Sequence, residues 1–239
     1  MNATNEVEVT ICWVGTCTTP AHPAHDPCCS SKFHQKPLCC EHYRRFHFVE
    51  TGCGHEEAPA AVEKVRIYID VDGVINACQR PGFPDWGWES GEHVRVNGSG
   101  ITYSPAFVSL LNGIAARPGA CVYWLTTWCY DAPQKLAPAI GLDGAEWPVV
   151  GYHHWTRAIG LPWWKHLAIV DHLEISDPFD GPVLWIDDDH GVDQHAVAWL
   201  RGQPRVQTIV PDTLIGVTRE QGQEIERFVD EALAGGGRR

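Results

Sequence analysis

The sequence predicts an α/β protein built on a mostly parallel sheet, preceded by a small module rich in cysteine and histidine. From about residue 65 onward, short apolar segments alternate with helix-like segments, which is the pattern of repeated βα units with helices on both faces of a sheet. Seven of the ten cysteines and six of the thirteen histidines lie at or before His55. Residues 56–61 read as a linker, so we expect one domain at 1–60 and a second at 61–239.

The composition of the chain limits the kinds of protein that it can be. Of the 239 residues, 44% are hydrophobic, which is enough for a large domain with a sizeable core. No apolar run approaches the roughly 20 residues of a membrane helix, and residues 1–6 lack the features of a signal peptide. We therefore expect a cytoplasmic protein without a membrane partner, whose cysteines favour metal ligation over disulfides. The net charge of −12 argues against an extensive charge-driven grip on nucleic acid, and leaves a local contact open.

The elements of the larger region follow one another in βα order. The predicted strands are short and apolar: 65–70, 121–126, 182–186 and 206–210. The predicted helices lie between and after them: 105–116, 131–140, 164–172, 192–200 and 218–233. Ser104 followed by Pro105 is typical of a helix N-cap with proline at the first helical position. Residues 93–103 predict a hairpin that turns near Asn97 and Gly98, while Pro138 leaves open whether its helix ends early.

The most informative segment is the first strand, because it ends in two aspartates. Asp70 and Asp72 stand one residue apart at the carboxyl end of an apolar, β-branched run, where open α/β sheets place their chemistry. Gly73 lets the backbone turn sharply straight after the strand. A D-x-D-G pattern also occurs in calcium loops, so the interpretation of this segment depends on the sequence downstream.

Three later segments carry polar side chains at comparable points. The second strand ends at Thr126, whose hydroxyl and neighbouring backbone N–H groups can hold a phosphoryl oxygen. Lys165 begins a helix after two tryptophans, where its charge can neutralise a phosphate. The third strand ends in the acidic run 187–189, and such hard oxygen ligands suit Mg²⁺. Together the four segments bring polar and charged side chains to the carboxyl edge of the predicted sheet, where open α/β sheets place their chemistry.

In this order the segments resemble the four motifs of the haloacid dehalogenase (HAD) superfamily of phosphohydrolases. The resemblance covers roughly residues 65–234. Its details, Tyr-Ile-Asp-Val-Asp-Gly-Val-Ile-Asn, Leu-Thr-Thr-Trp, Trp-Trp-Lys and Trp-Ile-Asp-Asp-Asp, are similar to the group described as HAD domains in Swiss Army Knife RNA repair proteins. The resemblance implies a HAD-like Rossmannoid three-layer sandwich with a minimal cap, because the segments that could hold a cap are short. An open site would admit a bulky substrate, such as a polynucleotide end or a phosphoprotein.

The resemblance also implies a Mg²⁺-dependent phosphomonoesterase that works through an aspartyl-phosphate. The implied catalytic residues are Asp70 as nucleophile, Asp72 as general acid and base, Thr126 and Lys165. The implied Mg²⁺ ligands are Asp70, the backbone carbonyl of Asp72, Asp187 and Asp188. Asp187 is either a metal ligand or the partner of Lys165, and the division of roles within 187–189 stays open. Thr126 is preferred over Thr127 because it ends the apolar strand.

Two further polar residues are candidates for contact with the substrate phosphate. They are Arg95 and His190, although residues of either type are more often simple surface positions. Five tryptophans flank the motifs, and core packing is their default interpretation. Base stacking by Trp128 or Trp163 is the functional alternative.

The N-terminal region carries two close pairs of metal-ligating residues. Cys12 and Cys17 form a C-x4-C pair, and Cys39 and His42 form a C-x2-H pair. Four such ligands suit tetrahedral Zn²⁺, which lets a segment too small for its own core fold. The arrangement resembles small zinc fingers of phage and actinobacterial proteins, often found beside nuclease domains. Spare ligands allow a second zinc site, for which the candidates are Cys29, Cys53 and His55.

A zinc finger beside a phosphatase suggests docking to nucleic acid. Four basic residues give the finger a basic edge: Lys32, Lys36, Arg44 and Arg45. Residues 1–64 nevertheless hold five Lys and Arg against eight Asp and Glu, so the region is acidic overall. We therefore expect a phosphorylated substrate, with a nucleic-acid end or a nucleotide phosphate as the first candidate. The alternative is a zinc-finger interaction protein whose HAD domain recognises a phosphorylated partner with little turnover; the oligomeric state is left open.

Overall fold

The computed structural model describes residues 63–79, 82–151, 163–191 and 193–235. All of the predicted zinc ligands lie outside the described residues: Cys12, Cys17, Cys29, Cys39, His42, Cys53 and His55. The domain at 1–60 and its zinc-binding role therefore stay predictions. Among the described residues, none of the helices combines the length and the apolar character that crossing a bilayer demands.

Six strands and five helices make up the described part of the chain. The strands are β1 (Val65–Ile69), β2 (Glu92–Val96), β3 (Ser99–Tyr103), β4 (Ala120–Trp124), β5 (Val183–Ile186) and β6 (Val206–Ile209). The helices are α1 (Pro105–Ala115), α2 (Ala137–Ile140), α3 (Trp164–Asp171), α4 (Gln194–Arg201) and α5 (Arg219–Gly235). A π-helical turn precedes α2 (Ala132–Leu136), and another follows α3 (His172–Ser176). The α/β class predicted from the alternating pattern is confirmed.

A four-stranded sheet in the order β4-β1-β5-β6 lies at the centre, and every neighbouring pair is parallel. Ile69 stands opposite Trp124 on one side and opposite Ile186 on the other. The carboxyl ends of these three strands therefore meet at one edge of the sheet. Because parallel strands need crossover connections, helices cover both faces.

Side chains alternate between the two faces along each central strand. In β1, Ile67 and Ile69 pack with α1 and α5, whereas Tyr68 packs with α3 on the opposite face. Ile225 and Val229 of α5 are fully buried in the first cluster, and each contributes roughly 1.5–3 kcal/mol relative to an exposed side chain. Burial on both faces explains why the strands read as continuous apolar runs.

Helix ends follow local capping chemistry. The Ser104 hydroxyl accepts the N–H of Phe107 at 3.3 Å, which confirms the predicted start of α1. The fourth predicted helix begins two residues later than expected, because Asp193 caps α4 by accepting the N–H of Ala196 at 2.8 Å. Pro138 lies within the first turn of α2 and does not end it; the helix stops where Gly141 turns left-handed at φ 72°.

The segment between Asp72 and α1 contains the predicted hairpin, formed by β2 and β3. Asn97 and Gly98 both have positive φ, which is the backbone of a tight two-residue hairpin turn. The hairpin is joined to the loop after β1, since the carbonyl of Thr102 accepts the N–H of Ala77 at 2.8 Å. The inserted segment thus lies against the loop that carries Asp72.

Candidate functional site

The carboxyl edge of the sheet brings the sequence-predicted residues together. Asp70 directly follows β1 and Asp187 directly follows β5. The Asp70 N–H donates to the Ile186 carbonyl at 3.1 Å, so the parallel pairing of these strands continues to the two aspartates. Thr126 lies two residues beyond β4, and Lys165 lies in the first turn of α3. Four segments distant in sequence therefore converge here.

Lys165 lies between two carboxylates. Its Nζ donates to Asp70 Oδ2, and it also donates to Asp187 Oδ2 at 2.7 Å. All three side chains are buried, with Lys165 only 3% exposed. The Trp163 ring lies beside the ammonium, with its centroid 5.3 Å from Nζ. An aromatic wall and the sheet edge thus keep this ion cluster away from water.

The three buried charges do not balance. Burial raises the pKa of Asp187 to about 7, and the nearby Asp70 carboxylate adds to the increase. Burial also raises the pKa of Asp70, against the opposing effect of Lys165. Burial acts to lower the pKa of Lys165, but the two carboxylates outweigh it and raise that pKa. The raised carboxyl pKa values reflect the cost of ionising two carboxylates beside one ammonium, and a bound cation would lower that cost.

A third carboxylate completes a group with the character of a cation site. Ligand oxygens of Asp70, Asp187 and Asp188 all lie within 4.8 Å of one another. The Asp188 carboxylate accepts a hydrogen bond from the Thr213 hydroxyl at 2.6 Å, which orients it. Carboxylate oxygens are the donors that Mg²⁺ prefers, so this donor set fits the metal that the sequence predicts.

The three aspartates of the acidic run differ in their burial and contacts. Asp187 contacts Lys165 and also belongs to the oxygen group, so it occupies both of the positions that the sequence left as alternatives. Its second oxygen accepts the N–H of Asp189 at 3.1 Å. The Asp189 side chain is exposed. We therefore place Asp187 and Asp188, rather than Asp189, at the candidate cation site.

Asp72 lies outside that oxygen group and has two donors of its own. Asn76 Nδ2 donates to Asp72 Oδ1 at 2.7 Å, and the indole N–H of Trp128 donates to Asp72 Oδ2 at 2.9 Å. From the sequence alone Asn76 has no predicted role, although it falls inside the matching Asp-Val-Asp-Gly-Val-Ile-Asn segment. For Trp128 the sequence predicts only packing or base stacking, because no local pattern reveals that its ring reaches Asp72.

The sequence predicts that Thr126 ends its strand, but β4 ends two residues earlier, at Trp124. The Thr126 side chain is 1% exposed, and its hydroxyl is one of the groups that act to lower the pKa of Asp70 against the effect of burial. The same hydroxyl accepts the backbone N–H of Trp128 at 3.3 Å. Thr127 is exposed instead. This geometry supports the preference for Thr126 over its neighbour.

The two candidate phosphate contacts occupy very different surroundings. Arg95 is exposed on β2 and donates to the Gly98 carbonyl at 2.9 Å. His190 is 3% exposed and lies edge-on to Trp185, with ring centroids 4.1 Å apart. Burial and then the Lys165 charge lower the pKa of His190 to about 3. A neutral, buried imidazole attracts phosphate less than a charged one does. Substrate contact by His190 therefore stays a prediction, and it would require the side chain to become exposed.

The family model described as HAD domain in Swiss Army Knife RNA repair proteins matches residues 66–222, which include every residue of the site described above. No curated protein and no solved structure matches the chain.

Proposed function

Because the chain belongs to the family of HAD domains in Swiss Army Knife RNA repair proteins, we propose that it is a Mg²⁺-dependent phosphomonoesterase working through an aspartyl-phosphate. The observation that carries this proposal is the convergence of Asp70, Lys165 and the 187–188 carboxylates at one sheet edge. Membership of the HAD superfamily favours phosphoester hydrolysis in general. The metal, the residue roles and the substrate are the parts that we propose.

In the first step, a carboxylate oxygen of Asp70 attacks phosphorus, and the bond from phosphorus to the ester oxygen breaks. Asp72 donates its proton to the departing oxygen, which leaves as an alcohol. Lys165, which donates a hydrogen bond to Asp70, and the buried Thr126 hydroxyl would stabilise the charge that develops on the phosphoryl oxygens. The product of this step is phosphorylated Asp70.

In the second step, water hydrolyses the aspartyl-phosphate. Asp72, now a carboxylate, takes a proton from the water as its oxygen bonds to phosphorus. The bond between phosphorus and Asp70 breaks, so inorganic phosphate leaves and the Asp70 carboxylate is restored. Asp72 is again protonated, and the cycle closes without any other reactant.

Asp70, Asp187, Asp188 and the backbone carbonyl of Asp72 would hold the metal. When bound, Mg²⁺ supplies positive charge that offsets the repulsion between the Asp70 carboxylate and the phosphate. The cost of ionising the buried carboxylates, which raises their pKa values, would be lowered by such a cation.

The proposed substrate is a phosphate at a nucleic-acid end or on a nucleotide. The family description names RNA repair proteins, which supports this class over sugar phosphates. The short insertion after Asp72, a two-stranded hairpin, supports a site accessible to a large substrate. Phosphate contact by Arg95 on that hairpin belongs to this proposal.

The deciding experiment compares wild-type protein with Asp70→Asn, using Mg²⁺ and a generic aryl phosphate. We expect the rate of hydrolysis by Asp70→Asn to be at least about 10³-fold lower than that of wild type, because an amide cannot act as the nucleophile. Asp85→Asn, at an exposed aspartate, is the matched control and should retain wild-type rates. Equal rates of hydrolysis by wild type and Asp70→Asn would overturn the proposed phosphomonoesterase activity.

The substrate class is tested separately. Oligonucleotides with 3′- or 5′-phosphate, mononucleotides and sugar phosphates are compared by kcat/KM with Mg²⁺. We expect the oligonucleotides or nucleotides to rank first; a sugar phosphate in first place would overturn the substrate proposal while leaving the phosphatase intact.

The zinc-finger module remains a proposal from sequence, supported by the two ligand pairs Cys12/Cys17 and Cys39/His42. We propose that it binds one or two Zn²⁺ and docks the substrate. Zinc content of the purified full chain, compared between wild type and Cys39→Ser, tests the first part. Oligonucleotide hydrolysis by the same pair tests the second. Three results together would favour the alternative of an interaction protein with little turnover. The chain would bind zinc, Asp70→Asn would leave the rate of phosphate hydrolysis unchanged, and the protein would still bind a phosphorylated partner.

A further inference from the structure

We propose that Trp128 and Asn76 are positioning residues that hold the Asp72 carboxylate in place for proton transfer. The inference rests on the proposed phosphomonoesterase and adds two residues to it. Each carboxylate oxygen of Asp72 has one donor, Asn76 Nδ2 at 2.7 Å and Trp128 Nε1 at 2.9 Å. A carboxylate held at both oxygens cannot rotate about its terminal bond without breaking a hydrogen bond.

The two donors are themselves anchored. The Asn76 side-chain oxygen accepts the N–H of Thr102 in β3 at 2.8 Å, and Asn76 is 6% exposed. This contact sets the orientation of the amide, because the Thr102 N–H can only donate and so must face the oxygen of Asn76. The Trp128 backbone N–H donates to the Thr126 hydroxyl, and its ring packs against the larger hydrophobic cluster. Asp72 is therefore located from two sides, by the hairpin and by the loop after β4.

Neither anchor can exchange a proton with Asp72. An indole N–H is a donor only, and the one acceptor of the Asn76 amide is occupied by Thr102. A carboxylate has about four lone-pair positions, of which these two donors occupy two. The remaining positions are the ones that can carry a proton to a leaving group or take one from water. The two hydrogen bonds thus fix the position of the Asp72 carboxylate and leave it able to exchange a proton with the substrate or with water.

This role predicts a dependence on the leaving group. Nitrophenolate departs from p-nitrophenyl phosphate with little need of protonation, whereas the oxygen that leaves phenyl phosphate needs a proton more. Trp128→Phe keeps an aromatic ring and removes the N–H. We expect kcat/KM to fall about tenfold or more on phenyl phosphate and less than about threefold on p-nitrophenyl phosphate, within the 10²–10⁴-fold that general acid catalysis typically supplies. The comparison uses kcat/KM because the leaving group departs in the first chemical step.

A purely structural role for Trp128 would not give that pattern. Trp88→Phe is the matched control, because the half-buried Trp88 indole also donates one hydrogen bond, to the Val217 carbonyl at 2.8 Å. We expect Trp88→Phe to change kcat/KM by the same factor on both substrates, if it changes kcat/KM at all. An equal loss on both substrates in Trp128→Phe, or no loss on either, would overturn the positioning role.

The hydrogen bond itself is checked without turnover. In protein labelled with ¹⁵N-tryptophan, the indole signal that disappears in Trp128→Phe belongs to Trp128. We expect that signal to move when Asp72→Ala removes its acceptor, and the Trp88 signal to stay. An unmoved Trp128 signal would show that the contact is absent in solution and would also overturn the proposal.

The two proposals fail differently. If wild type hydrolyses neither aryl phosphate nor any phosphorylated oligonucleotide, the phosphomonoesterase is wrong, and the positioning role falls with it even where the indole signal responds to Asp72→Ala. If wild type is active and the two substrates lose activity in parallel in Trp128→Phe, the phosphomonoesterase stands and only the positioning role is lost.

Discussion

Gly73 and Asp188 share one small space: the Asp188 carboxylate lies where Gly73 would carry a side chain. A Cβ built on Gly73 overlaps both the carboxyl carbon and the oxygens of Asp188. Gly73 also has φ +72°, a backbone conformation that L side chains rarely adopt. The glycine that follows the first strand is thus needed both for the turn and for room beside a candidate metal ligand.

Gly73→Ala is expected to displace the Asp188 carboxylate and abolish Mg²⁺-dependent hydrolysis, besides costing about 1–2 kcal/mol for the left-handed backbone. Gly98→Ala is the control, because Gly98 has φ +83° but nothing within 4 Å of the added Cβ. It should lose comparable stability and keep activity. Activity is measured with an aryl phosphate and stability by urea unfolding. Full activity in Gly73→Ala would contradict the close placement of these two residues.

Mg²⁺ is expected to stabilise the folded protein through Asp70, Asp187 and Asp188. At a hundred times the dissociation constant the gain is about 2.7 kcal/mol, seen as a rise in Tm with metal concentration. Asp188→Asn should remove most of that rise, because a neutral amide is a weaker ligand. Asp189→Asn, at the exposed neighbour, should keep it. An equal Tm response in the two variants would place the metal elsewhere.

Lys165→Met is expected to remove the cation that two buried carboxylates share. The unfolding free energy should fall by about 3–5 kcal/mol at neutral pH without metal, as when one partner of a buried ion pair is deleted. Lys135→Met is the control: Lys135 is 49% exposed and pairs with Asp131 on the surface, so its loss should cost under about 1 kcal/mol. Denaturant unfolding of both variants makes the comparison, and similar losses would argue against a strongly coupled cluster.

A second buried polar group, which contacts Tyr68 of β1, predicts a pH dependence of stability. His172 is 3% exposed, and its Nδ1 lies 2.7 Å from the Tyr68 hydroxyl. It also faces the Tyr123 ring and the Asp177 carboxylate, 3.8 Å from its Nε2. Burial, followed by the charge of Arg66, lowers the pKa of His172 to about 3.

The folded protein therefore keeps His172 neutral down to about pH 3, whereas the unfolded chain protonates it near pH 6.5. Unfolding takes up a proton between these values, so this contribution to stability is complete above pH 6.5 and is lost as the pH falls toward 3. We expect the stability advantage of wild type over His172→Gln to shrink on acidification, by at most about 1.4 kcal/mol per pH unit. Urea unfolding at several pH values measures it; a constant difference would contradict the lowered pKa.

The convergence of Asp70, Lys165 and Asp187 could be expected from the sequence because each of these motifs is local. An apolar strand that ends in Asp70 has only one place to present its carboxylate in a parallel sheet, and the same holds for Asp187. The elements were predictable for the same reason: continuous apolar strand segments, the Ser104 cap and the turn at Asn97 and Gly98 all act over a few residues. The boundaries of the fourth helix were less accurate, since Asp193 rather than its apolar neighbour caps it.

The contacts of the side chains with one another could not be predicted in that way. Trp128 lies 56 residues from Asp72, and its indole reaches the carboxylate only because β4 pairs with β1 in one register. The enclosure of His190 likewise depends on Trp163 and Trp185, which come from two different elements.

The sequence by itself determined the α/β class, the order of the strands and helices, and the residue types available for phosphate chemistry, because periodicity, capping and strand-end motifs are short-range properties. Only the tertiary structure decided that Lys165 lies between Asp70 and Asp187, that Asp188 fills the space beside Gly73, and that Trp128 and Asn76 hold Asp72. These relationships depend on strand register and on helix packing across the sheet, which bring together residues that no local pattern connects.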